Sequence, residues 1–197
     1  MGRRSDARTR LVSSADLLFR ERGFSSVSIS ELCAAANVNK GSFYHFFQSK
    51  LALLLEVIDT SWDETGMLRS WEEKAPTQPI NELRHFFQEL FAFHYADRES
   101  NGFVRGPLLV RLALEPAARE PTVAKKLDSL LTREIGAIES VLVAAVDRGE
   151  ISLSNTHQTA VSLIACIHGL LMLATAQNNL FVLPQAENEL LRLVGKI

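Results

Sequence analysis

Apolar residues recur at helical spacing along almost the whole chain, and no segment shows the sustained apolar–polar alternation of a strand. Breaks in this pattern fall at Gly and Asn residues that can end a helix, or at Pro residues that can begin one. The pattern therefore predicts an all-α protein with nine helices. They are expected at about residues 6–22, 28–36, 39–47, 50–75, 80–97, 107–114, 121–148, 154–178 and 184–196.

The segment from Ser28 to Lys50 has the pattern of two short helices joined by a tight turn. Ser28 lies three residues before Glu31, the spacing of a capping box in which each side chain satisfies a backbone donor of the other. Asn37 tolerates the left-handed conformation that ends a helix, and Asn39 is suited to cap the next one. The sequence thus predicts a helix, a turn and a second helix here.

The second of these helices has one apolar face and one polar face. Phe43, Phe46 and Phe47 supply the apolar stripe. The residues left mainly outward are polar, and most can donate to phosphates or base edges; they are Lys40, Ser42, Tyr44 and His45. This is the layout of a helix-turn-helix whose second helix reads DNA.

The span from Thr9 to Val57 resembles the DNA-binding domain of TetR-family transcriptional regulators. The resemblance rests on Ala15 to Phe19, Gly23 with Phe24, Ser28 to Leu32, Ala36 to Val38, Lys40 to Tyr44, Phe47, and Ser49 with Lys50. Asn37 and Phe46 depart from the pattern, since the family usually has Gly, and His or Tyr, at these positions. The resemblance implies a three-helix DNA-binding domain over residues 1–50. A six-helix effector-binding and dimerisation domain over residues 51–197 would come next.

Tyr44 and Lys50 are the phosphate contacts that the resemblance implies. A phenol is a donor on a rigid stem and a Lys adds a cation, so both residue types suit phosphate. Further side chains that could reach DNA are Ser28, Ser30, Lys40, Ser42 and His45. Asn39 fits a helix cap and a base contact equally well. The alternative for all of them is a solvated surface.

Charge is unevenly distributed along the chain. Residues 1–50 carry a formal net charge of +4 and the remainder carries −6. A basic end attached to an acidic body suits a protein that places one end on double-stranded DNA, although a chance imbalance would look the same.

The sequence shows few signals for disulfides, metal sites, catalysis, export or membrane insertion. Cys33 and Cys166 are far apart, which predicts neither a zinc site nor a disulfide framework and fits a reduced, cytoplasmic setting. No apolar signal core occurs at the N-terminus. The apolar stretch Ala160–Ala176 is interrupted by Ser162 and His168, so we predict a helix between protein surfaces and no membrane span. We expect no catalytic group, metal site or cofactor.

The predicted helix at residues 80–97 is unusually aromatic, and its rings point in too many directions for one core stripe. Plain core packing is the simpler explanation, but together with the resemblance these rings indicate an apolar ligand cavity. The residues expected around it are Trp62, Phe87, Phe91, Phe103, Arg111 and Ile138. We expect a hydrophobic or aromatic effector, with a preference for a carboxylate if Arg111 points inward and a merely solvated charge if it points outward.

The last two predicted helices carry more apolar residues than one small body can cover. Two copies packed about a two-fold axis would bury them in a four-helix interface, which the resemblance also implies. The residues expected at this interface are Leu163, Ile167, Leu170, Leu171, Ala174 and Leu191.

Three functions therefore compete at this point. The first is a repressor that an effector releases from a palindromic DNA operator. The second is an enzyme or carrier that uses the helical body alone, and the third is a regulator that binds DNA without an effector. Salt-dependent DNA binding separates the second from the others, because only phosphate contacts release counterions.

Overall fold

The computed structural model describes residues 2–62 and 66–195, with side chains from residue 6 onward. These ranges contain α-helices, one 3₁₀ helix and no strand, so the all-α prediction is confirmed. The α-helices are α1 (Gly2–Arg22), α2 (Ile29–Ala35), α3 (Lys40–Phe46), α4 (Lys50–Ser61), α5 (Met67–Glu73), α6 (Pro79–Asn101), α7 (Leu108–Ala113), α8 (Pro121–Asp147), α9 (Thr156–Gln177) and α10 (Leu183–Leu193). The 3₁₀ helix is Pro116–Arg119.

The predicted count of nine helices is one too low for the described ranges. The single helix predicted over residues 50–75 is two helices, because α4 ends at Ser61 and α5 begins at Met67. Gly66 precedes α5 with a φ of 76°, a left-handed conformation that a helix interior does not contain. Seven α-helices, and not six, therefore come after α3.

The first compact unit comprises the chain up to Trp62 together with residues 107–128. Helices α4 and α7 both pack on α1, and α7 also packs on α4. The fully buried side chains of this unit include Leu11, Phe19, Phe43, Leu54 and Leu112. The unit is therefore larger than the predicted domain of residues 1–50. Helix α1 and the two short helices α2 and α3 alone bury little apolar surface, and α4 and α7 add to it.

The second compact unit contains α5, α6, the part of α8 after Asp128, α9 and α10. Helix α10 packs on both α9 and α6. The fully buried side chains of this unit include Leu83, Phe87, Ile138, Leu142 and Leu163. An apolar core of this kind holds helices in fixed positions because protein interiors are closely packed.

Candidate nucleic-acid interface

The capping box at the start of α2 is present as predicted. Ser28 Oγ accepts the backbone N–H of Glu31 at 3.2 Å, and the Glu31 carboxylate accepts the backbone N–H of Ser28 at 2.8 Å. The side-chain and backbone hydrogen bonds from Ser28, assisted by Arg22, lower the pKa of Glu31 from 4.5 to about 2. Ser28 and Ser30 are both exposed, so their side chains are accessible at the surface.

The turn between α2 and α3 is held by two asparagines. Asn37 has a φ of 51°, the left-handed conformation expected of it. The side-chain oxygen of Asn39 accepts the backbone N–H of Ser42 at 2.7 Å, so Asn39 caps α3. This bond occupies the Asn39 oxygen, and a base contact by its amide nitrogen stays a prediction. Ser42 itself is half-buried.

Helix α3 has one buried and one exposed face. Phe43 is fully buried and Phe47, just after the helix, is 3% exposed. Tyr44 is 57% exposed, and its ring packs in a T-shaped arrangement with the ring of Phe43 at a centroid distance of 5.3 Å. Lys40 and His45 are exposed as well. The buried phenylalanines thus fix the helix while Tyr44 projects a hydroxyl donor from its outer side.

Lys50 is engaged within the protein. Its Nζ donates to the carbonyls of Phe24 and Val27 at 2.8 Å each and lies 4.3 Å from the centroid of the Phe24 ring. Burial lowers the pKa of Lys50, an effect that nearby Glu115 and Glu31 oppose. An ammonium group has three donors, so two of them are used by carbonyls. A phosphate contact by Lys50 stays a prediction that concerns the remaining donor.

Several arginines of the basic N-terminal segment are paired with carboxylates. Arg22 lies 2.7 Å from Glu31, Arg20 lies 2.9 Å from Asp16, and Arg8 pairs with Glu56. Asp16 and Glu31 are already counted in the net charge of +4 for residues 1–50, whereas Glu56 lies outside this range and offsets one further positive charge. Of the cations considered above, Lys40 lies exposed on the helix that carries Tyr44.

Sequence reasoning missed Glu115, which lies between α7 and the 3₁₀ helix. Its carboxylate accepts the backbone N–H groups of Phe24 and Ser25 at 3.0 Å each. About ninety residues separate the partners. Phe24 and Ser25 lie in the turn between α1 and α2, and no local signal in the sequence links the glutamate before Pro116 to that turn.

The residues predicted to bind an effector fall in both compact units. Trp62 and Arg111 belong to the first, where Trp62 is 7% exposed and Arg111 Nε lies 3.9 Å from the Glu115 carboxylate. The second unit holds the others: Phe87, Phe91 and Ile138 are buried, and Phe103 is half-buried. Their role in binding a ligand stays a prediction.

The second unit also buries polar side chains that the prediction did not include. His94 of α6 is 1% exposed and Glu134 of α8 is 6% exposed. His168 Nε2 of α9 lies 3.4 Å from the Glu134 carboxylate. Burying an ionisable group costs free energy unless it has a partner, and the contact with His168 provides one for Glu134. His94 and Glu134 add polar groups to an otherwise apolar interior.

Helix α9 has apolar residues on two faces. Five of the six residues predicted for the dimer interface are buried inside the single chain: Leu163, Ile167, Leu171, Ala174 and Leu191. The sixth, Leu170, is half-buried. The opposite side of α9 exposes a different set, namely Ala165, Cys166, Met172, Leu173 and Ala176. Periodicity alone cannot tell which of two apolar faces packs inside the protomer.

A groove of about 510 Å³ lies between α9 and α10 beside this exposed face. The residues that line it include Cys166, Gly169, Leu173, Val182, Leu190 and Leu193. Most of them are apolar, and Leu173 and Leu193 are 47% and 46% exposed. We call this groove and the exposed residues of α9 the α9 surface.

Within the described ranges, α9 is the one helix that is long and apolar enough to cross a membrane by length and composition. On those two criteria the prediction that it falls short of a span is wrong. A core helix of a soluble protein meets the same criteria. Here Leu163, Ile167 and Leu171 pack into the second unit, so one face of α9 belongs to the core of that unit.

The two cysteines differ in environment. Cys33 is buried in the first unit, and burial raises the pKa of its thiol. Cys166 is exposed on the α9 surface. No cluster of three or more potential metal ligands occurs in the part of the chain that the structure describes.

Comparison with known families separates a DNA-binding regulator from an enzyme. Residues 11–57 match the family described as bacterial regulatory proteins, tetR family, and residues 79–187 match the Tetracyclin repressor-like C-terminal domain. The chain belongs to the TetR family. TetR-family proteins are DNA-binding transcriptional regulators and not enzymes, which removes the enzyme alternative.

Individual TetR-family relatives agree with this assignment. The chain is 41% identical over 149 residues to the HTH-type transcriptional repressor NemR of Escherichia coli (strain K12), and this match covers 73% of this chain and 69% of NemR. It is 35% identical over 85 residues to the HTH-type transcriptional repressor DhaR of Mycobacterium sp. (strain GP1), and this match spans 43% of each chain. A solved TetR regulatory protein from Rhodobacter sphaeroides shares the fold, with a TM-score of 0.81 over 94% of this chain and 97% of that chain at 24% identity.

Proposed function

We propose that the protein is a cytoplasmic repressor that binds a near-palindromic DNA operator as a homodimer and is released by a small hydrophobic or aromatic molecule. The observation that carries the proposal is the outer side of α3, where exposed Tyr44, Lys40 and His45 lie opposite the buried Phe43. A helix anchored on its inner side can present donors to the major groove without a large loss of backbone freedom.

The operator would consist of two half-sites related by the two-fold axis of the dimer. Each α3 would enter a major groove, and the half-site centres would lie about one helical turn or a multiple of it apart. Tyr44 would hold the phosphate backbone, whereas Lys40 and His45 would lie nearer the base edges. Contacts to phosphate fix register, and contacts to base edges give sequence preference.

The dimer would form through the α9 surface. An exposed apolar helix face beside a groove of about 510 Å³ is unfavourable in water and suits a self-complementary contact. Gly169 and Ala165 have small side chains, which would allow two copies of α9 to approach closely. This surface replaces the buried residues, such as Ile167, that the sequence pattern had favoured.

The effector would bind in the second unit, against the aromatic residues of α6. Phe87 and Phe91 would supply apolar walls, and buried Glu134 with its half-buried partner His168 would supply polarity. A ligand that favours a dimer with differently spaced α3 helices must lower operator affinity, because linked equilibria are reciprocal.

Selection of bound fragments from genomic DNA tests the proposal. The purified protein should retain a small set of duplexes that contain a shared inverted repeat. For a recovered duplex, the logarithm of the association constant should fall linearly with the logarithm of salt concentration, with a slope of about −0.9 for each neutralised phosphate. Retention of no duplex, or binding without a salt slope, would contradict the proposal.

A further inference from the structure

The turn between α1 and α2 is bound by a carboxylate from a distant part of the chain. Glu115 Oε1 accepts the N–H of Phe24, and Oε2 accepts the N–H of Ser25, each at 3.0 Å. The Ser25 hydroxyl adds a third bond at 3.1 Å. Successive backbone N–H groups that converge on one anion form a concave site that favours negative charge. We call this arrangement the Glu115 clamp.

The backbone of the turn is shaped to admit this carboxylate. Gly23 has a φ of 84°, and a Cβ atom placed on it would lie 2.5 Å from Glu115 Oε1. A side chain at this position would therefore collide with the carboxylate as well as strain the backbone. The Glu115 side chain is only 15% exposed, so its bonds are partly shielded from water. Bonds to a charged group are stronger than those between neutral groups.

Lys50 binds the carbonyl groups of the same turn. Its Nζ contacts the carbonyls of Phe24 and Val27, whereas Glu115 contacts the N–H groups of Phe24 and Ser25. The donors of the turn are thus bound by one charged side chain and the acceptors by another. With both in place, the turn has little freedom to change its direction.

The segment after the α1–α2 turn contains the helices that we propose bind DNA. The residue after Val27 is Ser28, which caps α2, and α2 leads directly to α3. We propose that Glu115 is a positioning residue for operator binding: it fixes the α1–α2 turn and thereby the orientation of α2 and α3. This inference rests on the proposed function. It adds a residue outside the helix-turn-helix segment to those that determine DNA affinity.

Removing the Glu115 carboxylate should change operator affinity in opposite directions, depending on whether Glu115 positions the turn or acts only through its negative charge. Loss of a negative charge near a DNA-binding unit should strengthen binding to a polyanion. Loss of the clamp should weaken operator binding by about tenfold, the scale of one hydrogen bond to a charged group. The sign of the change in affinity therefore separates a positioning role from a charge effect.

The experiment compares Glu115→Ala and Glu115→Gln with Glu120→Ala in the full-length protein. Glu120 is an exposed carboxylate five residues further along the same segment. The readouts are titration of a duplex recovered from the genomic selection, thermal unfolding, and hydrogen exchange of the Phe24 and Ser25 amides. We expect both Glu115 variants to bind at least several-fold more weakly and to exchange these amides faster, and Glu120→Ala to bind equally or more tightly.

The possible outcomes are distinct. If Glu115→Gln remains folded and binds the duplex as tightly as the wild type, the inference is overturned while the proposed function stands. The inference is also overturned if Glu120→Ala weakens binding as much as Glu115→Ala. If the wild type binds no duplex, the proposed function fails and the inference fails with it. Should Glu115→Ala unfold, the amide-sized Glu115→Gln provides the measurement.

Discussion

At the scale of single residues, Tyr44 is the side chain whose exposure argues most directly for contact with DNA. We expect Tyr44→Phe to weaken operator binding by about tenfold, because a hydrogen bond from the hydroxyl to a charged phosphate would be lost. The loss should be similar for specific and unrelated duplexes, and the salt slope should not change because a phenol carries no charge. Filter binding at several salt concentrations measures both quantities, and undiminished affinity would contradict the assignment.

Lys50 provides the comparison for this measurement. Because its ammonium already binds the carbonyls of Phe24 and Val27, we expect Lys50→Met to lower the melting temperature, and an unchanged salt slope would show that Lys50 contacts no phosphate. A slope that becomes shallower by about 0.9 would instead identify Lys50 as a phosphate contact, as the sequence resemblance implies.

The capping box makes a second prediction at this scale, which concerns pH. The pKa of Glu31 is about 2 in the folded protein and near 4.5 otherwise, so the native state favours the ionised form. Its stabilising contribution is fully present above about pH 4.5 and disappears as pH falls through about 2. Glu31→Gln should therefore melt at a lower temperature than the wild type at pH 7, and the difference should shrink below pH 4. Glu21→Gln, at an exposed site on α1, is the control, and a difference that is undiminished at pH 2 would show that the ionised Glu31 carboxylate is not its source.

At the scale of elements, α9 shows that one helix can have two apolar faces with different roles. Placing a charge at Ile167 would disrupt the core of the single chain, because this residue is 2% exposed. Leu173 is 47% exposed on the α9 surface, so Leu173→Glu should leave the fold intact and separate the dimer. Sedimentation velocity should then show a species of 21.9 kDa in place of one of twice that mass.

The control for this experiment is Val143→Glu, which places the same charge at a 41% exposed site on α8. We expect that variant to remain a dimer. Dimers of Leu173→Glu at micromolar concentration would contradict the α9 surface as the interface. Monomeric wild-type protein would do the same.

The helices themselves were largely predictable, because their ends carry local signals. Ser28 with Glu31 begins α2, and Asn37 ends it, as their side-chain chemistry requires. The features that could not be predicted depend on contacts between distant residues. The interior side of α9 is chosen by packing against other helices, and the partners of Lys50 and Glu115 are backbone groups that carry no sequence signature.

At the scale of the whole molecule, the proposed release of the operator by an effector can be tested at the aromatic residues of α6. Phe91 and Phe93 lie on the same helix, but Phe91 is 6% exposed and Phe93 is 40% exposed. If the effector binds among the buried aromatic residues, Phe91→Ala should raise the concentration of an aromatic compound needed for operator release by about tenfold. Phe93→Ala should leave it unchanged.

The assay follows a fluorescent operator duplex while neutral and carboxylate-bearing aromatic compounds are added. Phe91→Ala removes a buried ring and costs about 3–5 kcal/mol of stability, so its folding must first be verified by circular dichroism. Release by no compound would favour a regulator that acts without an effector. Equal loss of response in both variants would place the binding site elsewhere.

The inclusion of residues 107–128 in the first compact unit limits how this protein can be recombined. A DNA-binding fragment that ends at Trp62 would lack Leu112, which is fully buried in that unit, and the Glu115 carboxylate. To transfer the first unit to a relative, both the chain up to Trp62 and residues 107–128 must be exchanged. A chimera with one new segment and one old one would join surfaces that did not evolve together, and we expect it to be less stable than either parent.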